Sequence, residues 1–404
     1  MRQFVKVLLV STSVCAAAPV LAEEPLGPIE IGDEVYIDPI LDMRLRVETA
    51  DQSSFPDAAS SVTLRTRAGA DLNWSKFSFI IEAEGTVALD DNYNDTIPSN
   101  GIEPFPVIAD PDSFDLNRLQ FGYKGDNGSI TVGRQRVILD DARFVGNVGW
   151  RQNEQTFDAV RGTAKIGPVA LDATYSISQR TIFGSESPIG SFDGDFVFLN
   201  GKADLGPVKA LGYSYTIDYE DRTAFSSQTF GGELKGSIPA GPFKVGLRAG
   251  FATQSDTGDN PIDYSAEYIV GEASVAANGW TVRLQYEELG SDGGFAAFQT
   301  PLATAHKFNG FADLFLVTPA TGLRDTNIRV GKKFTIPGLT TFNTFVAFHQ
   351  FDSDFGGVDY GTEIDAVVSF KAGPVGILAK LGDYRADDFG VDTTRFTLQA
   401  GISF

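Results

Sequence analysis

The sequence predicts an all-β protein: a transmembrane antiparallel β-barrel of about 18 strands, with short periplasmic turns and long extracellular loops. One ground is a repeated two-sided alternation of apolar and polar side chains, the pattern of a strand whose residues point to opposite faces. A second is that the connections between these segments are tight and long by turns. A third is the absence, in the body of the chain, of any apolar run near the ~20 residues of a membrane helix.

Composition agrees. The 404 residues include 43 Gly and 32 Phe, and aromatics make up 12%. A disordered chain would be poor in aromatics. A single Cys rules out a disulfide scaffold. The formal charge of −21 argues against a nucleic-acid partner, which would call for a basic chain.

Residues 1–22, MRQFVKVLLVSTSVCAAAPVLA, have a basic start at Arg2 and Lys6, then an apolar stretch and small residues before a cut after Ala22. This is the pattern of a secretory signal peptide. Cys15 falls within it, so the mature chain from Glu23 would carry no thiol, which suits export. Residues 23–39 show no periodicity and are expected to form a periplasmic N-terminal segment.

The barrel is expected over 40–404. In 41–48, Leu41, Met43, Leu45 and Val47 share one face, while Asp42, Arg44, Arg46 and Glu48 share the other. Eighteen such segments are expected: 40–48, 61–72, 77–88, 114–124, 129–136, 155–166, 168–178, 195–204, 207–218, 228–238, 243–253, 264–277, 280–289, 325–334, 341–350, 361–370, 375–384 and 393–404. Most are near the ~9–11 residues with which a tilted strand crosses a bilayer. Two segments resist the pattern. In 129–136, Arg134 and Arg136 share parity with Ile130 and Val132, and 341–350 carries Phe342, Phe345 and Phe348 on both faces.

Every second connection is short. Gly167-Pro168, Gly206-Pro207, Gly241-Pro242 and Gly373-Pro374 repeat one turn device, and the intervening connections, such as 89–113, 137–154 and 290–324, are long. This is the layout of outer-membrane barrels. Lipid offers no hydrogen-bond partner to a free edge, so a spanning sheet must close on itself. The lumen is expected to be charged and hydrated.

The stretches GRQRVILDDARFVGNVGWRQNEQTFDAV (133–160) and TPLATAHKFNGFADLFLVTPATGLRD (300–325) resemble the bacterial alginate-export family of outer-membrane porins. The terminal Phe404 resembles the aromatic signal read by the barrel-assembly machinery. The resemblance implies an eighteen-stranded barrel in the outer membrane, in contact with lipid and lipopolysaccharide. It also implies an arginine-lined pore for anionic polysaccharide or smaller acidic sugars.

By parity Arg44, Arg46, Arg65 and Arg67 point inward on neighbouring segments. Guanidinium groups are always charged and grip carboxylates with two prongs, and rings of Arg favour anions in pores. Glu82 and Glu84 come opposite Arg65 and Arg67 and could neutralise them. Arg118, Arg248, Arg283, Arg329 and Arg395 also face inward, with Asp172, Glu233, Glu363 and Asp365. Connection 290–324, bearing His306, Lys307, Asn309 and Asp313, is too long for an ordinary loop. It either constricts the pore or packs as an external lid. Residues 143–155 offer Arg143, Trp150, Arg151, Gln152, Asn153 and Glu154, a mixture suited to acidic sugar rings or to rim packing. The acids of 89–113, Asp110 among them, are expected on a solvated outer surface.

Neither His306 nor His349 has metal-ligand spacing, and no calcium loop is present. No cofactor or metal is expected. His349 near Asp352 and Asp354 is the one conceivable acid–base cluster, and an enzyme is not expected. The expected function is passive passage of acidic sugars, polysaccharide or other small anions. The alternatives are a general non-selective porin and a surface-binding barrel closed by its loops.

Overall fold

Residues 27–404 are described by the structure, a computed structural model. The expected signal peptide lies outside the described residues. Eighteen strands form the wall. They are β1 (Val35–Gln52), β2 (Ala59–Trp74), β3 (Phe77–Asn92), β4 (Ser113–Lys124), β5 (Gly128–Gln135) and β6 (Thr156–Ile166). Next come β7 (Val169–Arg180), β8 (Ser191–Asp204), β9 (Val208–Tyr219), β10 (Ser227–Ala240), β11 (Phe243–Asp256) and β12 (Ser265–Ala277). The last six are β13 (Trp280–Leu289), β14 (Leu323–Ile336), β15 (Leu339–Asp352), β16 (Asp359–Ala372), β17 (Val375–Ala386) and β18 (Thr393–Ser403). Each strand pairs antiparallel with its sequence neighbours. β18 returns to β1 from Asp42↔Ser403 to Gln52↔Thr393, so the sheet closes.

All eighteen expected segments fall on these strands. The main difference lies at the start: β1 begins at Val35, inside the stretch expected to precede the barrel. Pro39 sits within it, paired with Ala70 on β2. A proline is tolerated there because β18 stops opposite Asp42, which leaves the other edge of β1 without a ladder to break. The short strand Ile29–Gly32 folds back on Val35–Ile37 along that edge.

The four Gly-Pro turns place Gly167, Gly206, Gly241 and Gly373 at positive φ, between 57° and 83°. Glycine takes this conformation without strain. These turns lie at one end of the barrel with both termini of the wall. Leucines, isoleucines and phenylalanines such as Leu247, Leu284 and Ile364 stand exposed on the outer face, which is where a lipid-facing band belongs. A girdle of Trp74, Phe77, Phe121 and Tyr123 rings stands near the turn end. Lys332 lies over Trp280 at 4.8 Å at the same end.

Both irregular segments have a local cause. β5 ends at Gln135, so Arg134 stays outside on Asp158. Arg136, past the strand, turns inward to Glu154 and Glu82. Of Phe342, Phe345 and Phe348 in β15, only Phe345 faces inward, where it packs on Phe311 of a lumenal loop. Phe342 lies outside against Phe334 and Phe370.

The interior departs from the expected hydrated lumen. An apolar cluster fills part of its extracellular half. Val137, Leu139, Val145, Phe298, Leu302 and Phe315 come from loops, and Phe198, Tyr213, Tyr215, Tyr268 and Phe351 come from the wall. Long loops folded into a barrel need apolar anchors to offset the entropy of ordering them, and the inward tyrosines and phenylalanines of β8, β9 and β12 supply these.

Candidate functional site

Three connections enter the lumen: 93–112, 136–155 and 290–322. Charged wall residues hold them there. On β1, Arg44 donates to Gln152 Oε1 at 2.8 Å, to Gly149 O at 3.0 Å and to Arg151 O. Two residues on, Arg46 donates to Asp110 Oδ2 at 3.1 Å, to Gln399 Oε1 at 2.9 Å and to Trp150 O. Glu48 receives Arg151 at 3.0 Å. Arg395 on β18 donates to Ala312 O and Val107 O. These four wall residues therefore bind all three loops.

Asp110 is a correction to the expected solvated surface. It is fully buried between Arg46 and Arg151 and accepts the Gln152 N–H. Burial pulls its carboxyl upward, but Arg151, Arg46 and that N–H together hold it below the usual carboxylate range. Arg151 completes the knot with Glu48, Asp110 and Asp313.

The expected neutralisation by Glu82 and Glu84 is redistributed. Arg67 pairs with Glu84, but Arg65 turns to Asp42. Glu82 instead receives Arg118 at 2.6 Å and Arg136 at 2.9 Å. Asn153 accepts the Thr86 and Ser113 hydroxyls at 2.9 and 2.8 Å. Glu154 sits among Arg67, Arg136 and Asn117, which outweigh burial and hold it well below its usual range.

The 290–322 loop enters through its backbone. The N–H groups of Phe311 and Ala312 donate to Asp365 at 3.2 Å and to Glu363 at 2.7 Å. Gly310, at φ +88°, lies so close to the Glu363 carboxylate that a Cβ would meet Oε2 at 2.2 Å. His349 is a second correction: it bonds Asp325 at 2.9 Å and faces Asp365 at 3.5 Å, not Asp352 or Asp354. Inward parity along β14–β16 brings these groups together, whereas Asp352 and Asp354 lie at the loop end of β15.

A ladder of rings crosses between the loops. Arg46 lies 4.2 Å over Trp150. Trp150 stacks on His306 at 4.3 Å with 4° between planes, and His306 meets Phe311 at 5.3 Å. Lys380 lies over Trp150 at 3.9 Å and over Phe311 at 3.8 Å. Its ammonium donates to His306 Nε2 at 2.9 Å, and His306 Nδ1 is 2.7 Å from Asp313. This assigns a neutral imidazole whose Nδ1–H donates to Asp313. Burial first, with Lys380 assisting, lowers the His306 pKa to about 3 despite Asp313.

Below the loops the wall carries charges of one sign directly opposite each other. Glu287 faces Asp325 in register on β13 and β14. Loop residues answer this acid pair: Arg143 donates to Glu287 at 2.8 Å, and Asn309 donates to Glu287 at 2.8 Å and to Asp325 at 3.3 Å. Four residues nearer the turn end on each strand, Arg283 faces Arg329. Arg283 has Glu272 at 3.7 Å, and Arg329 lies over Phe345 at 4.1 Å. A few strands away on the wall, Lys209 of β9 faces Lys235 of β10, which faces Arg248 of β11. Arg248 reaches Glu233 at 2.6 Å and Asp141 at 3.0 Å. Lys307 donates to Asp141 O at 2.6 Å.

Parity alone had brought out the arginines. Glu48 was placed on the inner face but not as a loop anchor; Glu287, Asp325 and Lys380 were not singled out, although Glu287 and Asp325 share inward parity with Arg283 and Arg329. Among the described residues no His, Cys, Asp and Glu group is arranged to hold a metal.

A family model described as alginate export matches residues 36–287. Solved structures share the barrel. OccK9 (OpdG) of Pseudomonas aeruginosa is 14% identical, with a TM-score of 0.70 over 91% of this chain and 98% of that one. OpdK of the same organism, solved with vanillate, gives 14%, 0.68, 91% and 99%. OccAB3 of Acinetobacter baumannii gives 15%, 0.67, 91% and 99%. At these identities the likeness shows the fold alone. No curated protein matches the chain in sequence.

Proposed function

Because the chain belongs to the alginate export family of outer-membrane porins, we propose that it is a channel for passive passage of small acidic solutes, sugar acids among them. The single observation that carries this reading is Arg283 opposite Arg329 on the lumenal wall. Like charges directly opposite on adjacent strands are destabilising. The barrel answers its own acid pair, Glu287 and Asp325, with Arg143 and Asn309 from the loops. A passing carboxylate can accept hydrogen bonds from both guanidiniums, in addition to the contacts they already make, such as those of Arg283 with Glu272 and Asn327.

A small solute fits better than a polymer. Three loops occupy the extracellular half of the lumen and bury their apolar residues against the wall. The solute's path follows the charged side of the lumen, away from that cluster, and the 290–322 and 136–155 loops constrict it. Vanillate, present in the OpdK structure, is a small aromatic carboxylate, and this supports the same class. The role is conduction rather than catalysis. Phe404 and the final strand would serve recognition by the barrel-assembly machinery, and the outer apolar band would meet lipid and lipopolysaccharide.

The test is uptake into proteoliposomes containing the full-length barrel. Galacturonate should enter several-fold faster than galactose at equal concentration. Equal rates would favour the general-porin reading, and no uptake of either would favour a barrel closed by its loops.

A further inference from the structure

At the turn end of the lumen, lysines recur on every second strand: Lys124 on β4, Lys165 on β6 and Lys202 on β8. Small residues stand between them. Ser129 on β5 is in register with Lys124, and Ala170 on β7 is in register with both Lys165 and Lys202. Each lysine shares parity with inward residues of its strand: Arg118 for Lys124, Arg161 for Lys165 and Asn200 for Lys202. Every second strand means roughly 10 Å between backbones, and Lys side chains are long enough to converge across that span.

The short side chains between leave a recess of about 570 Å³ lined by all three lysines, with Asp126, Asp172 and Asn200. Its acids have other partners. Asp172 is gripped by Arg161, and Asp126 by Lys76 at 3.1 Å. Lys202 reaches Asp140 of the 136–155 loop at 2.8 Å. Neither Lys124 nor Lys165 has a carboxylate partner among the described residues.

We propose that this recess is a docking site for a small anion bearing two or three carboxylates or phosphates, held at the periplasmic entrance of the lumen. The proposal rests on the reading of the lumen as an anion path and adds a separate binding step, remote from Arg283 and Arg329. Lys202 links the site to the plug, because a bound anion competes with Asp140 for its ammonium.

Isothermal titration of the folded full-length protein in detergent tests it, with citrate and inorganic triphosphate as probes and acetate as the monovalent control. Citrate or triphosphate should bind more tightly than acetate. The triple variant K124Q/K165Q/K202Q should weaken binding by about tenfold or more, and K124R/K165R/K202R should retain it. R385Q, at the exposed loop end where Arg385 pairs with Asp383, should leave the titration unchanged, and the glutamine triple variant should weaken binding more than R283Q/R329Q does. Absence of binding by either probe overturns the site, as does an unchanged affinity in the glutamine variant or a loss confined to R283Q/R329Q. Failure of the channel reading would show instead as absent anion preference in conductance, which this titration does not measure.

Discussion

Arg283 and Arg329 face each other across adjacent strands, in direct register, four residues from an equally direct acid pair, Glu287 and Asp325. Loop residues Arg143 and Asn309 answer the acids. The acid pair anchors loops, and the arginine pair is the part of the lumen proposed to meet the solute.

Replacing both arginines, R283Q/R329Q, should therefore change selectivity without unfolding the barrel. Removal of like-charge opposition should leave stability unchanged or raise it slightly, since such pairs cost a few tenths of a kcal/mol up to about 1. The reversal potential under a salt gradient should shift toward cations. An unchanged potential would remove these residues from the selectivity mechanism.

R143Q tests the anchoring side. It leaves Glu287 buried beside Asp325 with only Asn309 and the Tyr268 hydroxyl as hydrogen-bond partners. Breaking one side of a buried ion pair costs about 3–5 kcal/mol. Limited trypsin digestion, monitored by mass spectrometry, should show faster cleavage after Arg151, and single-channel traces should become noisier.

Gly310→Ala should release the other loop. The native φ of +88° and the contact with Glu363 leave no room for a methyl group. A left-handed non-glycine residue alone costs about 1–2 kcal/mol, and the displaced carboxylate adds to it. Chymotrypsin should then cut near Phe308 and Phe311, while the barrel keeps its heat-resistant mobility on gels.

Acid should loosen the same loop through His306. Its pKa is about 3 when docked and would return to about 6.5 in solvent. The undocked loop thus binds more protons between these values, so docking is at full strength above pH 6.5 and weakens as pH falls toward 3. Burial pulls the Asp313 carboxyl upward, but His306, with Arg395 and Arg151 helping, outweighs it and holds the group well below its usual range, so it stays ionised through that window. Loop accessibility should rise on acidification in the wild type, and much less in H306Q.

The wall was legible in the sequence because alternation and Gly-Pro turns are local signals. β13 was read at Trp280–Leu289, as found, and the inward arginines followed from parity. The lumenal plug was not legible. Asp110 looks like one acid among many in an exposed loop, and only the chain reversals that carry it to Arg46 and Arg151 bury it. The inward tyrosines Tyr213, Tyr215 and Tyr268 give their strands two apolar faces, a pattern that marks contact with a plug but does not name the loop. His349 lies near Asp352 and Asp354 in sequence, yet inward parity on neighbouring strands gives it Asp325 and Asp365 instead.

The most direct test of the anion-path account is the zero-current potential of the wild-type barrel in a planar bilayer under a tenfold potassium chloride gradient. Chloride permeability exceeding potassium permeability several-fold is the expected result. A potential of cation sign, or one at zero, would contradict it.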